Sequence, residues 1–548
     1  MDVYRRDRWK VWTPLLFSLV LVLGIILGFN LRDTLHNKRS IGTVIRQNDK
    51  LEDLIDMIHE KYVDTVNTGE LYRDAISGIL KSLDPHTVYI PADELQNVND
   101  DLDGGFSGIG VEFSIVRDTI EVTGVIDNGP ASHSGMQIGD QLIKVGDSVV
   151  AGTNITSDRI VHLLKGKQYS SVYVTVKRIT DGELKQLPIK RDIIPTYSVE
   201  ASIMLDAATG FIKINRFTAT TYDEFTTALK KLQSEGATQL IIDLRNNPGG
   251  YLDAATSIAD DFLANNKLIV FTKGVHTTKT EYRASGKGLF EKGRLAILVD
   301  EGSASASEIL SGAIQDWDRG VIIGRRSFGK GLVQEQYDMP NGAALRLTVA
   351  KYYTPSGRCI QRSFANGKDA YEEDYEKRFE TGELTGKDTI PQSDTERFYT
   401  ANHRVVYGGG GIKPDVFVRY DTSRRSTALL ALVYSQELKT AIWDYFVQNK
   451  DKLRFKDIND FNTSFNAQAQ IAGKYLATLS PDIRKGVLKE LSKPVNNGYF
   501  KLQIKAQLAR LLFRDNGYYS ISLQEDEVVN KALDVMKSAD YARLIGRQ

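Results

Sequence analysis

Apolar residues along this chain change their spacing several times, and each change predicts a change of architecture. Between residues 41 and about 100, Leu51, Leu54, Ile55 and Ile58 recur at helical spacing. A second helical stretch, GELYRDAISGILKSL, stops at the turn DPHT. From Gly104 the pattern shifts to short β-branched runs with frequent alternation: GGFSGIGVEFSIV, TIEVTGVI, DQLIKVGD and VYVTVKRI. Short helices or turns, ASHSGMQIGDQLI and SDRIVHLLKG, separate them. From about 195 to 355 strands and helices alternate. GFIKINRF reads as a strand, and TYDEFTTALKKLQSEG as a helix ending at Gly236. QLIIDLR and RLAILVD are nearly continuous apolar runs, as expected of strands buried on both faces. The first leads through NNPGG into a helix, the second through EGSASASEIL into another, and GVIIG is the next strand. Residues 356–425 are polar and loop-rich, with YGGGG and a closing strand DVFVRY. The rest, including TALLALVYSQELKTAIWDYFV and FKLQIKAQLARLLF, is all helical. These shifts divide the chain into 1–40, 41–103, 104–193, 194–425 (with a polar insertion at 356–405) and 426–548.

The N-terminus bears on location. RRDRWK precedes residues 11–29, which are apolar except for Thr13, Pro14 and Ser18. A bilayer core needs about 20 such residues. No small-x-small cleavage site follows, so 1–40 reads as a cytoplasmic tail with an uncleaved signal-anchor. Arg5, Arg6, Arg8 and Lys10 favour a cytoplasmic N-terminus, against Arg32, Lys38 and Arg39 beyond the run. The expected location is a single pass through the inner membrane, with the body in the periplasm or another extracytoplasmic space.

Composition mostly excludes. A chain of 548 residues suggests roughly three or four domains. Lys plus Arg and Asp plus Glu number 70 each, leaving no electrostatic footprint for nucleic acid. Cys359 is the only cysteine, which excludes an intrachain disulfide and a Cys-rich zinc site. The seven histidines lack metal-ligand spacing and no H-E-x-x-H occurs, so no metal or other cofactor is expected. There is no G-x-S-x-G elbow and no P-loop.

Serine and lysine remain. EGSASASEIL places Ser303, Ser305 and Ser307 before an apolar helix, and Ser305 with Glu308 fits a capping box. The alternative is a nucleophile exposed on a strand-to-helix turn. In RSFGKGLVQ, Lys330 stands between Gly329 and Gly331, as a loop passing close to another backbone requires. A lysine base must be neutral, so its pKa would fall from about 10.4 to near 7 or 8, at roughly 3–4 kcal/mol.

Two resemblances follow from these words. Residues from Gly104 to Arg191 resemble a PDZ domain, through GIGV at 108–111, GPASHSGMQIGDQLIKVGD at 129–147 and LLKG at 163–166. Such a domain offers backbone N–H groups to a terminal carboxylate and takes the ligand as an added strand. SLDPHTVY, DLRNNPGG, SASASEILSGAIQD, GRRSFGKGLVQ, KYYTPSGRCIQ and GGGGIKPDV resemble, in the same order, the carboxyl-terminal processing (tail-specific) proteases. That resemblance implies a multidomain α/β fold. Its crotonase-like (ClpP-like) protease core carries an inserted PDZ β domain, with helical regions at both ends. It implies a serine endopeptidase with Ser305 as nucleophile, Lys330 as base and Gln334 as its orienter. Oxyanion donors would be the N–H of Ala306 and one from Gly249 or Gly250. The PDZ residues Gly108, Ile109, Gly110, Val111 and Lys165 would select protein or peptide substrates by their free C-termini. Lys165 is a departure, since the family commonly has arginine there, and lysine replaces a fork-shaped donor with a point charge. A homodimer through the helical regions and an adaptor protein are the further partners considered. Two alternatives stay open at this point: an inactive PDZ scaffold, and a Ser-His hydrolase of the tricorn-like kind.

Overall fold

The computed structural model describes residues 50–547 apart from residues 180, 387–395 and 421–425, together with residues 18, 20–22 and 24. The apolar run 11–29 therefore lies almost wholly outside the described residues. Among the described residues no helix is long and apolar enough to cross a membrane. The chain divides into two compact units, Met1–Ile79 and Leu80–Gln548. In the first, the helix Lys50–Lys61 buries Ile55 but leaves Leu51, Leu54 and Met57 exposed.

The second unit is organised by a six-stranded sheet in the order Val199–Met204, Thr209–Ile214, Gln239–Asp243, Arg294–Val299, Val321–Gly324, Val416–Phe417. All pairs are parallel except the first. The continuous apolar runs are explained by what covers each face. Ile212, Leu240, Ile242, Leu295 and Ile297 face the helices Thr221–Ser234, Leu252–Asp260 and Ala306–Asp316. Phe211, Ile241, Ala296, Leu298 and Ile323 face the opposite way, against Leu523, Val529, Ala532 and Met536. The last helices, Glu527–Lys537 and Asp540–Leu544, thus cover the back of the sheet. Each fully buried Phe, such as Phe225 or Phe262, contributes about 1.5–3 kcal/mol through removal from water.

Two further large sheets, and two short two-stranded ones, belong to this unit among the described residues. An antiparallel sheet joins Leu332–Asp338 to Ala344–Tyr353, which also pairs with Val88–Ile90 and Leu268–Lys273. A β domain pairs Val111–Val116, Thr119–Val125, Gln141–Val145, Ser171–Lys177 and Leu184–Lys190 in that order, leaving Val111–Val116 at the sheet's edge. Its hairpin turns on Arg117 and Asp118, both at positive φ (48° and 56°), the pair that a two-residue type I′ turn demands. The helices between Thr427 and Ser522 form their own core with Val116 of this edge strand. The helical C-terminal region therefore divides, one part against the β domain and one against the α/β sheet.

Candidate active site

Two chain turns and one loop converge on a cleft of about 840 Å³, lined by Gly249, Gly250, Ser305, Lys330, Gln334 and Arg346 among others. The first turn joins the buried strand Arg294–Val299 to the helix Ala306–Asp316. Ser305 sits at its apex with φ 53° and ψ −112°. A non-glycine residue held there stores backbone strain, which persists only where the surroundings over-determine it. The three serines are therefore not equivalent. Ser303 is buried, donating to Leu244 O (2.8 Å) and accepting from Asp300 N (2.9 Å). Ser307 is buried and donates to Asn247 O at 3.0 Å. Ser305 is half-buried and lines the cleft.

Ser305 and Glu308 form the capping box, in which Glu308 Oε2 accepts the Ser305 N–H at 2.9 Å and the Glu308 N–H turns back to Ser305 O at 2.8 Å. Glu308 is fully buried and also accepts from Ser327 Oγ (2.5 Å), Gly329 N (2.7 Å) and Lys330 N (2.9 Å). One carboxylate thus ties the serine turn to the lysine loop. Burial pushes its pKa up to about 7, against the pull of these four donors. Its S-x-x-E spacing was visible in sequence, but its partners at 327–330 were not.

The second turn carries Lys330. Its glycine neighbours are explained by close backbone approach. A Cβ on Gly331 would meet Gln361 N at 2.8 Å, and one on Gly329, at φ 92°, would meet Gly411 N at 3.1 Å. Lys330 Nζ donates to Gln334 Oε1 at 2.8 Å, and Gln334 Nε2 is itself fixed on His86 O. Burial first, then the Arg346 guanidinium, lowers the Lys330 pKa from its ordinary value. His86 is held by Tyr371 OH at 2.9 Å, and burial, then the Lys330 charge, lowers its pKa to about 4. Among the described residues no histidine lines the cleft, and His276 and His403 are exposed.

The loop NNPGG supplies the third side. Gly249 and Gly250 have φ of 100° and 142°. A Cβ on Gly249 would lie 2.8 Å from Ser305 Cβ, and one on Gly250 only 1.9 Å from Phe217 O. The Gly249 N–H donates to Asn247 Oδ1 at 2.9 Å. Gly250 is flanked by the pair Phe217 N to Gly249 O (2.9 Å) and Tyr251 N to Phe217 O (2.8 Å), which leaves its own N–H without a backbone partner. The Ala306 N–H, first in its helix, is likewise unclaimed by backbone.

A fourth wall comes from a segment with no chemical signature. The helix Ala92–Asp103 brings Val98, Asp101 and Leu102 to the cleft, and Tyr251 OH donates to Asp103 Oδ1 at 3.3 Å. On its other side Lys165 Nζ reaches Asn97 Oδ1 (3.4 Å) and Asp100 (3.7 Å), and lies 4.6 Å over the Phe106 ring. In the β domain, Ile109 O and Gly110 O accept from Ala131 N (2.9 Å) and Ile126 N (3.0 Å). The N–H groups of Ile109 and Gly110 serve no other backbone group, and the edge strand begins at Val111. Gly108 ends the strand Gly105–Gly108, paired with Asp192, and Ile109 and Gly110 follow as a turn with spare donors beside an open strand edge, while Lys165 is engaged elsewhere.

Known proteins resemble this arrangement throughout. Residues 208–368 match Peptidase family S41, 107–190 match the PDZ domain, and 30–94 match the activating protease CtpB N-terminal domain. A carboxy-terminal-processing protease of Bartonella bacilliformis is 36% identical over 314 residues, which cover 56% of this chain and 71% of that protein. A probable CtpA-like serine protease of Staphylococcus saprophyticus is 31% identical over 454 residues, 82% of this chain and 85% of its own. Among solved structures, a photosystem II D1 C-terminal processing protease is 26% identical, covering 58% of this chain and 91% of its own, at a TM-score of 0.33. This chain therefore belongs to peptidase family S41, as a serine peptidase of the carboxy-terminal-processing kind.

Proposed function

We propose that the chain is an endopeptidase that cuts proteins near their C-termini with a Ser305–Lys330 dyad. The observation that carries this reading is a strained serine and a half-buried lysine lining one cleft, the lysine Nζ bonded to Gln334 Oε1. Neutral Lys330 takes the Ser305 Oγ proton as Oγ adds to the scissile carbonyl carbon. The oxyanion receives the N–H groups of Ala306 and Gly250, with the N-terminus of the helix Ala306–Asp316 behind them. The Lys330 ammonium then protonates the leaving amine. Neutral again, it takes a proton from the water that attacks the acyl-serine, and returns it to Oγ as the acid leaves.

The PDZ domain, on this reading, captures a free substrate carboxylate at Gly108, Ile109, Gly110 and Val111 and adds the tail along Val111–Val116. The core is of the crotonase-like kind, with the domain limits set by the changes of pattern along the chain. The run 11–29 would hold the body outside the cytoplasm, with a second copy and an adaptor as candidate partners. An inactive scaffold has no use for a strained serine and a half-buried lysine on one cleft.

The test is turnover of an unstructured protein by wild type, Ser305→Ala and Lys330→Ala. Both variants lose turnover, Ser305→Ala by about 10⁴-fold or more. Undiminished cleavage by either sinks the dyad.

A further inference from the structure

We infer that Asp526, at the start of the helix Glu527–Lys537, is a positioning residue that holds the NNPGG loop in register through Arg245. This rests on the reading that Gly250 serves the reaction.

The loop leaves the sheet after Asp243 and reaches the cleft at Gly250. Arg245 is the first side chain able to anchor it, and it is held from two sides. Asp243, buried within the sheet, accepts Arg245 N (2.9 Å), Nε (3.0 and 3.1 Å) and NH2 (2.6 Å). Asp526 accepts the other end, NH1, at 3.0 Å on each oxygen. Lys213 Nζ completes the group, 3.5 Å from Asp243 Oδ1 and bonded to Arg245 O. Two cations and two carboxylates therefore cancel in a largely desolvated place, where removing one member leaves a neighbour uncompensated. The Arg245 and Asp526 side chains are only 16% and 15% exposed.

Asp526 also caps its own helix, accepting Val528 N and Val529 N at 3.0 Å. Its helix belongs to the cover on the back of the sheet, whereas the loop opens to the cleft. The ion pair thus connects the C-terminal region, which carries no residue of the cleft, to the loop that bears Gly250. On either side of Arg245 the loop is fixed by Ser303, which donates to Leu244 O, and by Asp300, which accepts Asn246 N at 2.8 Å. The Asp243 half of the grip survives loss of Asp526, so the loop shifts and does not collapse.

The two roles of Asp526 separate by substitution. In Asp526→Ser the hydroxyl still caps the helix but offers no carboxylate to Arg245. Asp526→Asn keeps the cap and one acceptor. In the full chain, kcat on an unstructured protein is expected to fall roughly tenfold for Ser, short of the ~100-fold that a 1 Å misplacement costs. Asn should lie between Ser and wild type, with KM unchanged for both and Tm lowered, Ser more than Asn, but still well above the assay temperature. Asp526→Ser with kcat within about twofold of wild type overturns the inference, as does a loss of kcat that merely follows Tm. Ser305→Ala, run alongside, keeps the two readings apart. Turnover by it defeats the dyad, whereas its silence together with a fully active Asp526→Ser defeats only the positioning role.

Discussion

The molecule holds two glycine-bearing turns with spare backbone N–H groups, at 108–111 and at 247–250, and they are built to different tolerances. At the first, carbonyls brace the turn through Ala131 N and Ile126 N, and a Cβ on Gly110 would meet a flexible Ile194 Cδ1 at 3.1 Å. At the second, a Cβ on Gly250 would sit 1.9 Å from a backbone oxygen, and the neighbouring residues are held by Asn247, Asp300 and the Arg245 ion pairs. A carboxylate that arrives fully charged can adjust to its donors. Charge that develops only in a transition state needs donors already in place. On the proposed function, the difference separates capture from chemistry.

The largest effect expected is for Gly250→Ala. Its methyl group must push Phe217 aside, and kcat should fall about 10²–10³-fold, the value of one oxyanion donor, with KM changed much less. A purely KM effect would make the two turns alike. Next is Gly110→Val, where positive φ (77°) strains any side chain. Here KM for free-tailed substrates should rise about tenfold while kcat holds and amidated substrates are spared. Equal loss with amidated tails would remove carboxylate capture from the first turn.

The turns should also differ in their response to pH. Burial and Arg346 lower the Lys330 pKa, so the neutral base is present at lower pH than for a free lysine. As pH falls through that lowered value the ammonium forms, and kcat falls with it. Tail affinity depends on a carboxylate ionised above about pH 4 and should stay flat over the same range. A parallel fall in tail affinity would locate the pH dependence outside Lys330. The smallest effect is for Lys165→Ala. Its 3.7 Å contact to Asp100 is a partly exposed pair of the kind that contributes about 0–1 kcal/mol. Tail-peptide affinity should therefore change less than about fivefold.

Much of this was legible beforehand because the informative residues are close in sequence. Ser305 and Lys330 stand in short words whose glycines and small residues have local causes, and buried strands announce themselves as unbroken apolar runs. What was not legible depends on long-range contact. The N–H of Gly249 is spent on Asn247 Oδ1, a side-chain rotamer that no spacing reveals. Glu308 looks like an ordinary cap until Gly329 and Lys330 arrive beside it. Ala92–Asp103 has the texture of a surface helix and becomes a wall of the cleft only by docking.

The sequence by itself determined the family and the alternation of strand and helix, and it singled out Ser305 and Lys330 as the proposed dyad. These follow from side-chain chemistry, short-range sterics and the order of motifs. Only the tertiary structure decided which N–H groups remain free, which carboxylate joins the two turns, and why the C-terminal helices matter to the cleft. A sheet buried on both faces must be covered from both sides. The segment that covers its back, 281 residues beyond Arg245, brings the carboxylate that holds the loop.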